Sequence, residues 1–169
     1  LSNGFPVIIE SGMLLDQSYR VNDDRWAGHY LLLTGYDDDA GLFTTQDSWY
    51  GPNRMLGYEE LDTNWKEFNR AYLLLYTPDQ TEMIQNLVGE NWDEENNRIN
   101  ALNMAYDETE SNPEDAFAWF NIGTNLLYFE RYAEAAQAYD TAIRLGLPQR
   151  MLRYQFGPFI AYFKTSRNE

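Results

Sequence analysis

The chain has 169 residues and carries 27 Asp and Glu against 12 Lys and Arg, a net charge of −15. Charge of that sign repels phosphate backbones and anionic lipid surfaces, which excludes nucleic acid as an expected partner, and no apolar stretch approaches the roughly 20 residues that span a bilayer. With 44% hydrophobic and 16% aromatic residues the composition is that of a packed protein rather than a disordered tail, and zero cysteines exclude disulfides and thiolate metal sites.

Up to residue 77, short apolar runs alternate with turns. "FPVIIE", "HYLLLTGY", "GLFTTQD" and "RAYLLLYT" are four strand candidates. The acidic stretch from Tyr58 to Phe68 reads as a helix whose Trp65 and Phe68 bury against the sheet. "WYGP" at 49 to 52 either borders a cleft or ends a strand. The expected fold class is therefore α+β, with a twisted antiparallel sheet in residues 1–77. Pro78 closes the last strand, and from there apolar residues fall at helical spacing to the end.

This second segment, 78–169, is periodic. Gly89, Gly123 and Gly157 are each 34 residues apart, as are Ala101 and Ala135, while Pro113 and Pro148 are displaced by one. A 34-residue helical period is the mark of a helix-turn-helix array. Glycine inside a helix costs about 1 kcal/mol relative to alanine, so equal spacing suggests close approach of paired helices. Residues 116–149 resemble a tetratricopeptide repeat in Trp119, Ile122, Gly123, Leu126, Ala135, Tyr139, Ala142 and, one place late, Pro148. The copy at 82–115 keeps Val88, Gly89, Trp92, Ala101 and Pro113 but has Ala105 and Glu108 where Phe and Ala are usual. A partial copy from 150 keeps Phe156 and Gly157. The resemblance implies five or so antiparallel helices and a protein or peptide partner in a groove lined by Phe117, Phe120, Asn121 and Thr124, continued by Met151 and Gln155. That face has no Lys or Arg, so it suits an apolar peptide, or contact with the first segment, better than a terminal carboxylate.

The chemistry-bearing pair is in the first segment. His29 is the sole histidine and stands at the start of an apolar run; Asp47 ends the next one. If "DDDAG" is the turn, residues 29–36 and 42–47 form a hairpin, and Asp47 falls opposite residue 29 or 31 according to loop length. In either register the two side chains share a face, because side chains alternate with period two. A carboxylate beside an imidazole fixes its tautomer and supports its protonated form, the orienting half of a nucleophile–base–acid triad. The alternative is a half-buried histidine beside a turn-capping aspartate.

Residues 4–76, through "GFPVIIE", "GHYLLLTGYDDDAGLFTTQDSW" and the strands that follow, resemble the C-terminal half of the C39-like cysteine peptidases, a papain-like family. Gly28-His29 with Asp47 is the most specific part of that likeness. It implies His29 as base, Asp47 as orienter, and a cysteine at the start of a helix with a glutamine shortly before it. Neither of those last two is present, and the chain begins with Leu. It therefore reads as a fragment, inactive as given, of a bacterial cysteine peptidase joined to a tetratricopeptide module. A non-catalytic scaffold with a degenerate peptidase-like cap is the alternative, and another acyl transfer on the same fold is a third possibility. The secreted habit of similar bacterial proteins points weakly to an extracytoplasmic setting.

Nothing else suggests a cofactor or metal. The run Asp37-Asp38-Asp39 does not alternate its ligands as a calcium loop does and reads as a solvated turn. Asp23 and Asp24, just upstream of Trp26, read as incidental loop charge, with the edge of a substrate groove as the alternative. Loss of a covering helical half would bare Val7, Ile9, Leu31 and Leu33, and the expectation is self-association through that sheet face, exchange of elements, or docking of the helices onto it.

Overall fold

Strand alternation and turn chemistry produce five strands in the computed structural model, which describes residues 1–18, 20–21 and 23–166. They are β1 (Val7–Leu14), β2 (Trp26–Asp37), β3 (Leu42–Asp47), β4 (Gly51–Gly57) and β5 (Tyr72–Leu74), in one antiparallel sheet of order β4-β3-β2-β1-β5. The segments cluster into two units, one of residues 1–13 with 28–89, the other of 14–27 with 90–169.

In the first unit the inner face of the sheet carries Ile9, Leu31, Leu33 and Leu56, which pack with Leu61 of helix α1 (Tyr58–Lys66). Val7, Phe43 and Trp65 complete the cluster. Full burial of one such side chain contributes about 1.5–3 kcal/mol, so this contact is the main reason the sheet has a definite inner face. Phe68 is also buried, as expected for the C-terminal end of that helical stretch. The expectation of a bare sheet surface at Val7, Ile9, Leu31 and Leu33 is corrected here. Ile9, Leu31 and Leu33 are at most 4% exposed, because α1 folds back over them. Large apolar side chains that do reach solvent lie elsewhere, Leu73 in this unit and Phe159 and Phe163 in the other.

Strand β4 was not expected. Gly51, Pro52 and Asn53 read as turn punctuation, yet the segment pairs with β3 from Asp47↔Gly51 to Leu42↔Gly57. An edge strand tolerates proline because one side of its ladder needs no donors, and β4 is the edge. At the other edge the strand expected over 70–77 pairs only as Tyr72–Leu74, with Leu74 opposite Val7. The first unit also includes a short turn at Pro78–Gln80 and helix α2 (Thr81–Val88).

The second unit contains α3 (Glu94–Ser111), α4 (Ala116–Tyr128), α5 (Tyr132–Arg144), α6 (Met151–Tyr154) and α7 (Gly157–Lys164). Aspartates start α3 and α4. Asp93 accepts from the Asn96 N–H, and Asp115 accepts from those of Phe117 and Ala118, caps typically worth about 1 kcal/mol each. Only residues 129–131 join α4 to α5, so the two helices form an antiparallel hairpin. Its centre is a glycine–tyrosine contact: a Cβ placed on Gly123 would lie 2.6 Å from the ring of Tyr139, and one on Gly157 would lie 2.2 Å from the hydroxyl of the same tyrosine. One aromatic ring thus accounts for two of the three equally spaced glycines. Gly89 needs a different explanation. It ends α2 with φ at 63°, with open space around its Cα, so its role is conformational freedom in the left-handed region rather than close helix packing.

Candidate active site

Loop length leaves open which residue stands opposite Asp47, and a bulge makes it Leu31, on the face that His29 shares. The turn is Asp38 to Gly41, with Asp37 opposite Leu42 and Gly35 opposite Thr44. A regular ladder from there would place Asp47 opposite Leu32, on the face away from His29. Thr34 is the extra residue. Leu33 then pairs with Thr45 and Leu31 with Asp47, which returns the carboxylate to the histidine's side, since a slip of one residue reverses every side chain beyond it. The Thr34 hydroxyl accepts from the Gln46 amide at 2.9 Å, which ties the bulged residue to the partner strand.

The imidazole Nε2 lies 3.3 Å from Asp47 Oδ2. Asp47's side chain is fully buried, and that of His29 is 15% exposed. Oδ1 of the same carboxylate accepts from the backbone N–H of Trp49 at 2.7 Å and of Tyr50 at 3.1 Å. One side chain therefore makes both contacts: Oδ1 closes the β3–β4 turn, and the rigidity this imposes aims Oδ2 at the ring. Burial alone raises the carboxyl pKa, but the N–H groups of Trp49 and Tyr50 together with His29 outweigh it and hold Asp47 below its ordinary 3.8. The carboxylate is charged at neutral pH, so it can only accept. Neutral His29 must then carry its proton on Nε2, leaving the Nδ1 lone pair free.

Nδ1 is buried and has no hydrogen-bond partner among the described residues. A base open to its substrate would turn this nitrogen to solvent, and a packed histidine would have both nitrogens satisfied; here Nδ1 is buried yet unsatisfied, in a ring that keeps 15% exposure. Leaving such an atom unpaired costs about 1–3 kcal/mol.

One supporting group, Arg54, has no signal in the sequence. The Arg54 guanidinium approaches Asp47 Oδ2 at 3.4 Å, stacks 4.4 Å from the centre of the Tyr50 ring and lies 3.5 Å from Glu60. It reaches Asp47 only because β4 pairs Arg54 with Thr45, and a strand hidden by Gly-Pro-Asn gave no signal of that. Gly28, singled out in the sequence beside His29, has a packing reason. A Cβ there would sit 2.4 Å from Phe68 Cζ, so the residue before His29 has to be glycine for the ring to close over the strand.

The remaining site residues lie in the second unit. Phe117 is half-buried, with its ring 5.9 Å from Trp26. Phe120 and Asn121 are each 2% exposed, Phe120 packing on Tyr139 at 5.1 Å. The Thr124 hydroxyl donates to Phe120 O at 3.0 Å and accepts weakly from Tyr139. Those three side chains are engaged within the helical hairpin; of the four, Phe117 alone turns toward a non-helical segment. Met151 is fully buried. The acidic run Asp37–Asp39 is exposed and forms the hairpin turn, Asp37 accepting from Ala40 N–H and Asp38 from the Tyr58 hydroxyl. Among the described residues no group of three His, Cys, Asp or Glu could hold a metal, and no helix is long and apolar enough to cross a membrane.

The first unit is thus an α+β unit whose antiparallel sheet aims a buried carboxylate at an imidazole on the adjacent strand and leaves the second ring nitrogen unpaired. The model of the Peptidase_C39 like family matches residues 1–79, the stretch that contains both side chains. Neither a curated protein nor a solved structure matches the chain.

Proposed function

We propose that residues 1–77 are the base-and-orienter half of a C39-like cysteine peptidase domain and that the helices beyond form a tetratricopeptide-type module that positions a protein or peptide. The observation that carries the first part is the His29–Asp47 contact through Nε2 with Nδ1 unpaired. A thiol nucleophile needs a neighbouring lone pair to take its proton and an imidazolium to stabilise the resulting thiolate, and Nδ1 of His29 is the atom suited to both. Asp47 would hold the ring in the required tautomer and stabilise it once protonated. The chain contains no cysteine, so the nucleophile would have to come from outside these 169 residues, and these residues alone would not cleave peptides.

For the helical part, support comes from Tyr139 lying against both Gly123 and Gly157, which gives the 34-residue spacing a packing reason. The alternative of a non-catalytic scaffold draws on the burial of Nδ1, the atom that a thiol would have to reach. The test is peptide-library cleavage by the full reading frame that contains this chain, as the native protein, with His29→Ala, and with Ala at any cysteine preceding residue 1 in a helix. Cleavage abolished by either change supports the peptidase. Equal cleavage by all three removes His29 from the mechanism, and no cleavage by any of them selects the scaffold.

A further inference from the structure

The segment between β1 and β2 clusters with the helices rather than the sheet, and its contacts there are specific. The Arg150 guanidinium donates to Asp23 Oδ2 at 2.7 Å and to the Asp24 carbonyl at 3.2 Å, and the Arg150 backbone N–H donates to Asp24 Oδ2 at 3.2 Å. Arg153 adds donors to both Asp23 carboxylate oxygens, at 3.2 and 3.4 Å. Next to this charge cluster, Trp26 is 5% exposed, with its ring 5.9 Å from Phe117 and edge-on to Tyr154 at 5.7 Å. Leu15 N–H bonds to Arg25 O, which closes the segment into a strap. Two adjacent carboxylates and an aromatic two residues later therefore meet two arginines and two aromatics supplied by α4, α6 and the residue before α6. Arg150, Arg153 and Tyr154, with Arg20 and Asp23, also line an open cavity of about 200 Å³. The fit to the strap is incomplete, because Arg150 Nε and Asp24 Oδ1 are buried without hydrogen-bond partners and stand 3.9 Å apart.

We propose that the surface formed by Phe117, Arg150, Arg153 and Tyr154 is a peptide-binding site for a segment bearing two adjacent carboxylates followed two residues later by an aromatic, and that the chain's own Asp23–Trp26 occupies it as a displaceable ligand. Charge complementarity argues for this chemistry. In a chain of net charge −15, two neighbouring arginines held beside an aromatic cleft select an acidic, aromatic segment over a basic one. The strap excludes competitors by being covalently attached, since a short tether presents its segment at an effective concentration on the order of millimolar. A partner must therefore either bind far more tightly than the strap or act when the strap is released. This inference rests on reading the helices as an interaction module and does not depend on peptidase chemistry.

The test measures fluorescence anisotropy of a labelled peptide copying residues 20–27 against the intact chain. Three forms are compared: native, Trp26→Ala, and the near-isosteric pair Asp23→Asn with Asp24→Asn. The expected result is binding to the strap variants at least ten-fold tighter than to native protein, and loss of that gain when Arg153→Ala is added. Equal affinity for native and strap-variant chains, or a gain indifferent to Arg153, overturns the proposal. Far-UV circular dichroism checks folding of each form. If both strap variants fail to fold, the strap is a permanent part of the helical unit and the displaceable-ligand proposal is likewise overturned. Absence of binding to folded variants sinks it too, while leaving open a module that binds its partner on another face.

Discussion

Gly123→Ala tests the packing that gives the helical unit its period. Alanine in mid-helix gains about 1 kcal/mol in helix propensity over glycine, so without tertiary constraint the change would stabilise. Its methyl, however, would lie 2.6, 2.7 and 2.9 Å from three ring atoms of Tyr139. Restoring ordinary carbon–carbon separation of about 3.5 Å requires the ring to retreat by nearly 1 Å. Tyr139 has no room to do so: it is 0% exposed, flanked by Phe120, and its hydroxyl lies against Gly157. Overpacking a closed site costs about 1–3 kcal/mol, and with retreat blocked on the far side the upper part of that range applies. After the propensity gain the net expectation is a destabilisation of about 1–2 kcal/mol. The assay is urea unfolding followed by far-UV circular dichroism, with Gly57→Ala as control; Gly57 has φ at −61° and nothing within 4 Å of an added Cβ. The control should be neutral or slightly stabilising. In the Tyr139→Leu background the penalty of Gly123→Ala should shrink, giving a coupling energy above about 0.5 kcal/mol. A Gly123→Ala chain about 1 kcal/mol more stable than native would show that propensity alone governs the site and would refute the argument.

Replacing Gly28 by alanine puts a methyl 2.4 Å from Phe68 Cζ; a destabilisation of about 1–3 kcal/mol and a displaced imidazole NMR signal are expected, and His29 as the only histidine makes that signal unambiguous. Asp47→Ala removes the acceptor for two turn N–H groups as well as the partner of His29 Nε2 and should cost about 2 kcal/mol in thermal or urea unfolding, whereas Asp47→Asn keeps an oxygen for the turn and should cost less. The asparagine amide would then face Nε2 as a donor, so ¹⁵N shifts of the ring should report a move of the proton from Nε2 to Nδ1; an unchanged tautomer would contradict the assigned polarity. Acid sensitivity follows from Asp23, Asp47 and Asp62, all held below their ordinary 3.8. Arg150 is the largest cause for Asp23 and Arg70 for Asp62, while in Asp47 hydrogen bonds overcome the opposing effect of burial. Carboxyls with lowered folded pKa contribute stability that is present above the unfolded value and is lost as pH falls through the folded one. Their contribution to the urea midpoint should accordingly stay flat from neutral pH down to about 5 and decline below about 4; a decline centred near pH 6 would point to another group.

Much of this protein is local and was legible without coordinates. Alternating apolar runs mark β2 and β3 because a half-buried strand requires that period, and Asp37 to Gly41 mark the turn between them. The caps at Asp93 and Asp115 are equally local, bonding N–H groups only two or three residues away, although helical spacing alone does not single them out. Gly123 and Gly157 announce a close contact through spacing alone, though not its partner. What the chain order could not reveal depends on residues far apart or on a count of one. The bulge at Thr34 has no composition of its own, yet it determines which face Asp47 occupies. Strand β4 exists because β3 offers it a ladder despite its proline, and Arg54 reaches Asp47 only through that pairing. The acidic residues Asp23 and Asp24 look incidental until the fold brings Arg150 to them from more than a hundred residues away. Local propensity is set by neighbours in sequence, whereas register, coverage of a sheet face and pairing of buried charge are settled only when distant segments compete for the same surface.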